Sequence, residues 1–100
     1  MSYSLFYFEE ARLDVIAAKA WYEEQKDRLG RQFAKSIKTA ILRIQSNPLA
    51  YGVRYKNVRI AHPKTFPYGI HFYIDESTSQ IVIIAIVHNK RHPDVARKRI

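Results

Sequence analysis

The fold is decided by residues 66–74, FPYGIHFYI, and residues 81–93, IVIIAIVHNKRHP. In the first segment apolar residues alternate with smaller or polar ones, as in a half-buried strand, whereas residues 81–87 are apolar on both strand faces, as in a central strand. The polar segment 75–80 between them predicts a β-hairpin. The second strand ends in cationic and titratable side chains suited to a negatively charged partner, namely His88, Lys90, Arg91 and His92.

Upstream of the hairpin, residues 9–26 contain neither Gly nor Pro and begin with two glutamates, which favour the positive end of a helix. The apolar residues that recur at helical spacing are Ala11, Val15, Ala18 and Tyr22. A further set widens the apolar face: Leu13, Ile16, Ala17, Ala20 and Trp21. The pattern predicts one long helix with an unusually broad apolar surface.

A second helix is predicted after a break at residues 27–30, where Gly30 interrupts the pattern. It ends at Ser46-Asn47-Pro48, because proline disfavours a helical residue before it. Its apolar face carries Phe33, Ile37, Ala40, Ile41 and Ile44. The short break makes the two helices an antiparallel hairpin, and we expect Trp21, Tyr22 and Phe33 to form its core.

The remaining segments complete a single α+β domain spanning residues 1–100. Residues 3–7 predict a short strand, and residues 54–61 predict one half-buried strand. The order is β-α-α-β-β-β, so a helical hairpin packs on a small, mainly antiparallel sheet whose other face stays partly open. Residues 93–100 predict either a short helix or a basic tail.

The net charge of +8 is unevenly distributed. Residues 28–74 contain no Asp or Glu, and their basic residues are Arg28, Arg31, Lys35, Lys38, Arg43, Arg54, Lys56, Arg59 and Lys64. A field of one sign over 47 residues suits nucleic acid or an acidic protein partner. Mixed charges are the usual arrangement on a soluble surface, so a purely solubilising role is the weaker interpretation.

The chain contains no cysteine, which favours a reducing cytoplasm. The first residues lack the basic and apolar regions of a signal peptide. The longest apolar run, residues 81–87, is too short to cross a bilayer as a helix, which takes about 20 residues. We therefore expect a soluble cytoplasmic protein that does not act at a membrane.

Taken in order along the chain, these segments resemble the RelE/ParE superfamily of small bacterial toxins. The residues that carry the resemblance are Ala11–Val15, Trp21–Gln25, Leu29-Gly30, Phe33, Ile44, Asn47-Pro48, Phe66-Pro67-Tyr68 and Val87–Pro93. The resemblance covers nearly the whole chain and implies the toxin half of a type II toxin–antitoxin pair. It also implies a neutralising antitoxin, which typically wraps the toxin with an amphipathic helix and an acidic segment that folds on binding.

The resemblance implies two competing activities, because RelE-like members cut mRNA in the ribosome whereas ParE-like members poison DNA gyrase. Metal-free RNA cleavage needs a base, an acid and cations that stabilise the phosphate. The candidate catalytic residues for a nuclease are His88, Arg91, Arg59 and Lys64. Some nucleases of the superfamily use a glutamate after the helical hairpin or a tyrosine after the last strand, and neither is present here.

The sequence therefore favours the ParE side, with a non-catalytic inhibitor of DNA gyrase as the first hypothesis and a ribosome-dependent mRNA endonuclease as the alternative. A plain nucleic-acid-binding domain ranks last, since no recognition motif is present. The residues expected to bind the target or the antitoxin are Lys90, Arg91, His92, Arg54 and Lys56. His88 and His92 have the spacing of two zinc ligands on a helix, but they follow a strand and lack a third ligand, so we predict neither a metal site nor a cofactor.

Overall fold

The computed structural model describes residues 2–100, whose elements follow the predicted order with one additional strand. The elements are β1 (Ser4–Tyr7), α1 (Glu9–Gln25), α2 (Leu29–Ser46), a 3₁₀ turn (Pro48–Ala50), β2 (Val53–Tyr55), β3 (Val58–Ala61), β4 (Tyr68–Asp75), β5 (Gln80–His88) and α3 (Asp94–Arg97). Within these 99 described residues, no helix has the length and apolar composition needed to cross a membrane.

The five strands form one mixed sheet in the order β1-β5-β4-β3-β2. β1 runs parallel to β5, with Leu5 opposite Ile81, and the other neighbouring strands are antiparallel. The β4–β5 hairpin predicted from residues 66–93 forms the centre of the sheet. The α+β fold with a helical hairpin on a mainly antiparallel sheet is therefore confirmed.

The helical hairpin packs on one face of the sheet through the predicted apolar face of α2. Phe33 and Ile44 are fully buried there, beside Ile70 and Phe72 of β4. Tyr22 of α1 stacks on Phe33 with ring centroids 5.2 Å apart. These contacts confirm Tyr22 and Phe33 as part of the hairpin core.

Trp21 was expected in that core, but the expectation is wrong. Its side chain is 55% exposed, and Leu13 and Ile16 on the same side of α1 are 49% and 50% exposed. The inward side of α1 instead carries Ala11 and Ala18, whose small side chains let α1 lie close to its neighbours. The apolar residues of α1 thus occupy two opposite sides, of which only one is covered.

Gly30 lies inside α2 and does not break the helix, because the chain turns earlier, at Arg28, which has a left-handed φ of 72°. A Cβ at position 30 would lie 2.4 Å from the carbonyl oxygen of Lys19. Gly30 therefore permits the close approach of α2 to α1. The carboxylate of Glu23 accepts hydrogen bonds from the backbone N–H groups of Arg28 and Gly30, both at 3.0 Å, and so caps α2.

Residues 54–61 were expected to form a single strand, but they form the short antiparallel pair β2 and β3. The chain reverses at Lys56 and Asn57, where Lys56 has a left-handed φ of 48°. The alternation of Val58 and Ile60 was compatible with either arrangement, since it says nothing about a reversal two residues earlier. The sheet consequently gains an edge strand that carries Arg54 and Tyr55.

β5 contains a bulge that reverses its side-chain alternation. His71 pairs with Ala85 and Phe72 pairs with Ile83, so Ile84 has no partner on β4. Asp14 of α1 accepts a hydrogen bond from the Ile86 N–H at 3.0 Å, and Arg99 donates to the Ile84 carbonyl at 3.0 Å. Two backbone groups at and next to the bulge are thus satisfied by side chains from α1 and from the C-terminal residues.

The second face of the sheet has a smaller apolar cluster. Val82, Ile84 and Val87 of β5 pack there with Val58 and with Ala96 of α3. Residues 94–97 are therefore a short helix, as one of the two predicted alternatives proposed, and this helix covers part of the face opposite the helical hairpin. The uncovered part contains the candidate site.

Candidate functional site

A cavity of about 400 Å³ opens on the sheet face opposite α1 and α2. Its base is formed by β4 and β5, and its sides by β2, by the loop that follows β5 and by α3. Three arginines line it, Arg54, Arg91 and Arg97, together with all four histidines of the chain, His62, His71, His88 and His92. No carboxylate side chain is among the lining residues. The cavity is therefore built to receive a negatively charged group.

His71 and Tyr55 form a hydrogen-bonded pair in this cavity. The Tyr55 hydroxyl oxygen lies 2.9 Å from Nδ1 of His71 and donates to it in the neutral tautomer that leaves Nδ1 unprotonated. Burial, together with the positive charges of His62 and Arg54, lowers the pKa of His71 to about 4. His71 is therefore uncharged at neutral pH.

Tyr55 is held from a second direction by α3. The guanidinium carbon of Arg97 lies 5.3 Å from the centroid of the Tyr55 ring, a cation–π contact. Burial raises the pKa of Tyr55 above its ordinary value of 10.0. The phenol is consequently protonated at neutral pH and offers no phenolate to accept a proton.

The loop after β5 holds two more lining residues through local backbone contacts. Nδ1 of His88 accepts a hydrogen bond from the Lys90 N–H at 3.0 Å, and the His88 carbonyl accepts one from the Arg91 N–H at 2.9 Å. The His88 ring also lies edge-on to Tyr68, with centroids 5.3 Å apart. These contacts fix His88, whereas the exposed Arg91 side chain is free to meet a partner.

The structure brings together four of the residues predicted from the sequence: Arg54, His88, Arg91 and His92 all line the cavity. Lys56 and Lys90 are exposed outside its lining, and Lys56 Nζ donates to the Ile100 carbonyl at 3.3 Å. The residues expected to bind the target or the antitoxin are therefore only partly gathered in the cavity.

The other two predicted catalytic residues lie elsewhere. Arg59 donates to the carbonyl oxygen of Tyr51, so its guanidinium supports the chain that leads into β2. Lys64 lines a separate groove of about 180 Å³ with Arg43 of α2, and its carbonyl accepts a hydrogen bond from Ser36. Neither residue belongs to the lining of the cavity that contains His88 and Arg91.

The sequence interpretation missed Tyr55, His71, His62 and Arg97 as lining residues. One signal was available, because the alternation along residues 68–74 places Gly69 and His71 on the side opposite Ile70 and Phe72. The decisive information was the pairing of Ile60 with His71, which places β3 and β2 beside the histidine. That pairing joins residues 11 positions apart and depends on the reversal at Lys56.

The Tyr55–His71 pair suits binding better than proton transfer. RNA cleavage needs a general base whose pKa lies near the working pH. His71, with a pKa of about 4, and a protonated Tyr55 do not supply one. Among residues 2–100, no group of three or more His, Asp or Glu side chains is placed to hold a metal ion.

Three solved structures share the fold. A toxin–antitoxin protein from the chromosomal ParDE system of Pseudomonas aeruginosa superposes with a TM-score of 0.75 at 18% identity, covering 87% of this chain and 96% of the other. A mutant of the Escherichia coli toxin RelE in the free state has a TM-score of 0.64 at 16% identity, covering 100% and 99%. A chain of the RelBE2 toxin–antitoxin complex of Mycobacterium tuberculosis has a TM-score of 0.61 at 18% identity, covering 88% and 99%.

No curated protein matches the chain by sequence. The family described as "ParE toxin of type II toxin-antitoxin system, parDE" matches residues 5–93, which include α1, α2, all strands but the first residue of β1, and the loop after β5. The match confirms the resemblance seen along the sequence. The chain is therefore a member of the ParE toxin family, within the RelE/ParE superfamily of type II toxin–antitoxin toxins.

Proposed function

We propose that this chain arrests growth by binding and inhibiting DNA gyrase in the cytoplasm, without catalysing a reaction of its own. The observation that carries the proposal is the lining of the 400 Å³ cavity, which supplies three arginines and four histidines but no carboxylate. Such a lining binds anionic groups, and the hydrogen-bonded pair at its base, Tyr55 and His71, supplies no general base at neutral pH. Within the family to which the chain belongs, gyrase is the target that the resemblance implies.

A cognate antitoxin neutralises the chain in this proposal. The ParDE and RelBE2 neighbours come from toxin–antitoxin systems, which supports a partner of that kind here. The cavity cations, Arg54, Arg91 and Arg97, offer complementary charge to an acidic segment that becomes ordered on binding. The partner would then cover the same arginines that meet the target, and binding of the two would be mutually exclusive.

Ribosome-dependent mRNA cleavage is the second candidate function, and the Tyr55–His71 pair is the observation that favours it. A protonated phenol next to a cluster of cations is able to donate a proton to a leaving oxygen, and His88 and Arg91 lie in the same lining. Arg59 and Lys64, the other two candidates for this activity, are outside that lining. The nuclease would therefore have Tyr55 as an acid and Arg91 in a phosphate clamp, whereas the Tyr55–His71 pair would supply no base at neutral pH.

Induced expression in cells separates the two functions. We expect plasmids to lose negative supercoils and cells to filament while transcripts stay intact, and we expect coexpression of the neighbouring antitoxin gene to restore growth. Broken transcripts with unchanged plasmid topology would contradict the gyrase proposal and support the nuclease. Tyr55→Phe tests the second function separately, because it removes the phenolic proton but keeps the ring under Arg97.

A further inference from the structure

The solvent-facing side of α2 is a second concentration of positive charge, separate from the cavity. Four of its cations belong to α2 itself, and a fifth comes from the loop before β4, beside the helix. We refer to them as the α2 basic face, and all five are exposed: Arg31, Lys35, Lys38, Arg43 and Lys64. This face lies on the side of the sheet opposite the cavity and shares no residue with the cavity lining.

The charges of the α2 basic face are not compensated within the protein. Residues 28–74 contain no Asp or Glu, and among residues 2–100 none of the five cations forms an ion pair. The carboxylate of Glu23, whose field reaches Arg31, is occupied by two backbone N–H groups at the start of α2. Arg31 and Lys35 are four residues apart and Lys35 and Lys38 are three apart, spacings at which like charges destabilise a helix. An anionic partner would relieve this unfavourable arrangement.

A groove of about 180 Å³ lies within the α2 basic face. Arg43 and Thr39 of α2 line it together with Lys64. The Lys64 carbonyl accepts a hydrogen bond from Ser36 Oγ at 2.8 Å and another from the N–H two residues later at 2.9 Å, which closes a γ-turn. Thr65 at the centre of that turn has a φ of 78°, a strained conformation for a β-branched residue. These contacts hold Lys64 against α2, so cations from two separate segments border one groove.

The arrangement of these cations favours a duplex nucleic acid over a single strand. Arg31 and Arg43 are 12 positions apart, which corresponds to about 18 Å along the helix, and Arg43 lies about 140° from Lys38 around it. Phe33 is the one aromatic residue of α2, and it is fully buried. Single strands are held largely by stacking of their bases on aromatic side chains, whereas the phosphates of a duplex need only cations. The α2 basic face supplies the second kind of contact and not the first.

We propose that the α2 basic face binds the phosphate backbone of duplex DNA without reading its sequence. The major groove of B-form DNA is about 12 Å wide, close to the diameter of about 10–12 Å of a helix with its side chains. The cations on the two margins of α2 would therefore meet phosphates of both strands. The deep, narrow major groove of A-form RNA makes duplex RNA the poorer ligand. This binding is additional to the proposed gyrase inhibition and does not depend on it.

The probe is a fluorescently labelled DNA duplex of about 20 base pairs, which is about two helical turns. The protein is added in the absence of gyrase, and binding is followed by fluorescence anisotropy at several salt concentrations. We expect the logarithm of the affinity to fall with the logarithm of the salt concentration with a slope between about −4 and −5, because each neutralised phosphate contributes about −0.9. A second duplex of unrelated sequence should bind with an affinity within about twofold of the first. A slope near zero or a strong sequence preference would overturn the proposal.

Charge removal locates the binding surface. Arg43→Gln/Lys64→Gln removes both cations of the groove but leaves the backbone carbonyl that accepts from Ser36. Lys90→Gln/Lys98→Gln is the matched control, because it removes the same net charge from exposed residues outside the α2 basic face. We expect the groove variant to bind the duplex about tenfold more weakly, with a salt slope smaller in magnitude by about 1.8, and the control to stay within about twofold of the wild type. Circular dichroism checks that both variants are folded. Equal losses of affinity in the two variants would overturn the proposal.

Competition identifies the class of partner. Unlabelled duplex DNA should displace the probe about fivefold more effectively than duplex RNA of the same sequence, and about fivefold more effectively than poly-glutamate at the same concentration of negative charge. Displacement by poly-glutamate that equals that of DNA would assign the face to an acidic protein segment and overturn the proposal. Equal displacement by duplex RNA would also overturn it. A failure of gyrase inhibition leaves these measurements unaffected, so the two proposals fail independently.

Discussion

The hydroxyl oxygen of Tyr55 lies 2.9 Å from Nδ1 of His71, which joins the edge strand β2 to the central strand β4 inside a cavity lined by arginines. The pair links the stability of the sheet to the protonation state of His71 in the candidate site. A proton added to Nδ1 would abolish the acceptor and place a positive charge among Arg54 and Arg97. His71 thus has a structural role at the base of a surface whose other side chains are suited to binding.

Stability should fall as the pH drops from about 6.5 to about 4, in part because of His71. The unfolded chain protonates its histidines near pH 6.5, whereas His71 in the folded protein resists protonation down to about pH 4. Over that window the unfolded state binds up to one more proton at His71 than the folded state does. The difference lowers the unfolding free energy by up to about 1.4 kcal/mol per pH unit as the pH falls. Above pH 6.5 both states are neutral at this residue and its contribution is constant.

Urea unfolding of the wild type, His71→Gln and His92→Gln at several pH values measures this effect. We expect the slope of the unfolding free energy against pH between 4 and 6.5 to be shallower in His71→Gln. His92→Gln is the comparison variant, because His92 is an exposed residue of the same cavity lining that does not contact Tyr55. Identical slopes in the wild type and His71→Gln would show that His71 is not held neutral by the fold.

Replacing Arg91 should abolish toxicity without affecting folding, whereas replacing Tyr68 should chiefly lower the stability of the fold. Arg91 is exposed at the edge of the cavity, whereas Tyr68 packs edge-on against Phe33 with centroids 4.9 Å apart. We expect Arg91→Ala to keep the melting temperature and lose growth inhibition. Tyr68→Ala should lower the unfolding free energy by about 2–4 kcal/mol. Full toxicity of a folded Arg91→Ala protein would contradict the site assignment.

Adding one methyl group at Gly30 should be costly. The new Cβ would lie 2.4 Å from the Lys19 carbonyl oxygen and 3.0 Å from Glu23, so the two helices would have to separate. We expect Gly30→Ala to lose about 1–3 kcal/mol of unfolding free energy, as overpacked sites do. Gly52→Ala is the matched control, because a Cβ at that position would have no atom within 4 Å and the φ of Gly52 is not positive. Equal losses of unfolding free energy in Gly30→Ala and Gly52→Ala, measured by chemical denaturation, would refute the role of Gly30 in the close approach of the two helices.

The Asp14–Arg99 ion pair should contribute to the unfolding free energy by holding α1 and the C-terminal residues to β5. Its closest atoms are 2.6 Å apart, both side chains are mostly buried, and Asp14 also accepts the Ile86 N–H beside the bulge. Asp14→Ala leaves that N–H and the Arg99 guanidinium unpaired, so we expect a loss of about 2–4 kcal/mol. Glu9→Ala breaks the exposed pair with Arg12 and should leave the melting temperature nearly unchanged. A small effect of Asp14→Ala would mean that the bulge is not supported by this pair.

Periodicity and turn chemistry were enough to predict the fold. The alternation in residues 68–74, the apolar run at 81–87 and the proline after Asn47 each reflect a local rule that the final structure obeys. Local rules did not predict the exposure of Trp21 or the chain reversal at Lys56. The face of α1 that packs inward depends on where small residues allow a close approach, and the reversal at Lys56 depends on pairing with β4.

The same limit of local rules explains why only part of the candidate site was predicted. His88, Arg91 and His92 are neighbours in sequence, so a strand end predicted their proximity directly. Tyr55, His71 and Arg97 come from three separate elements and meet only through the strand order and the position of α3. Arg59 carries the expected charge but does not line the cavity, since its guanidinium donates to the Tyr51 carbonyl. Charge patterns predict that a basic surface exists, but the register decides which cations share it.

The most direct test of the central claim is a supercoiling assay with purified DNA gyrase, relaxed plasmid and ATP, in which the wild type is compared with Arg91→Ala. We expect the wild type to block supercoiling and Arg91→Ala to be inactive at the same concentration, while a reporter mRNA translated in a parallel reaction remains intact with both proteins. Unimpaired supercoiling by gyrase together with cleavage of the translated mRNA by the wild type would contradict the account.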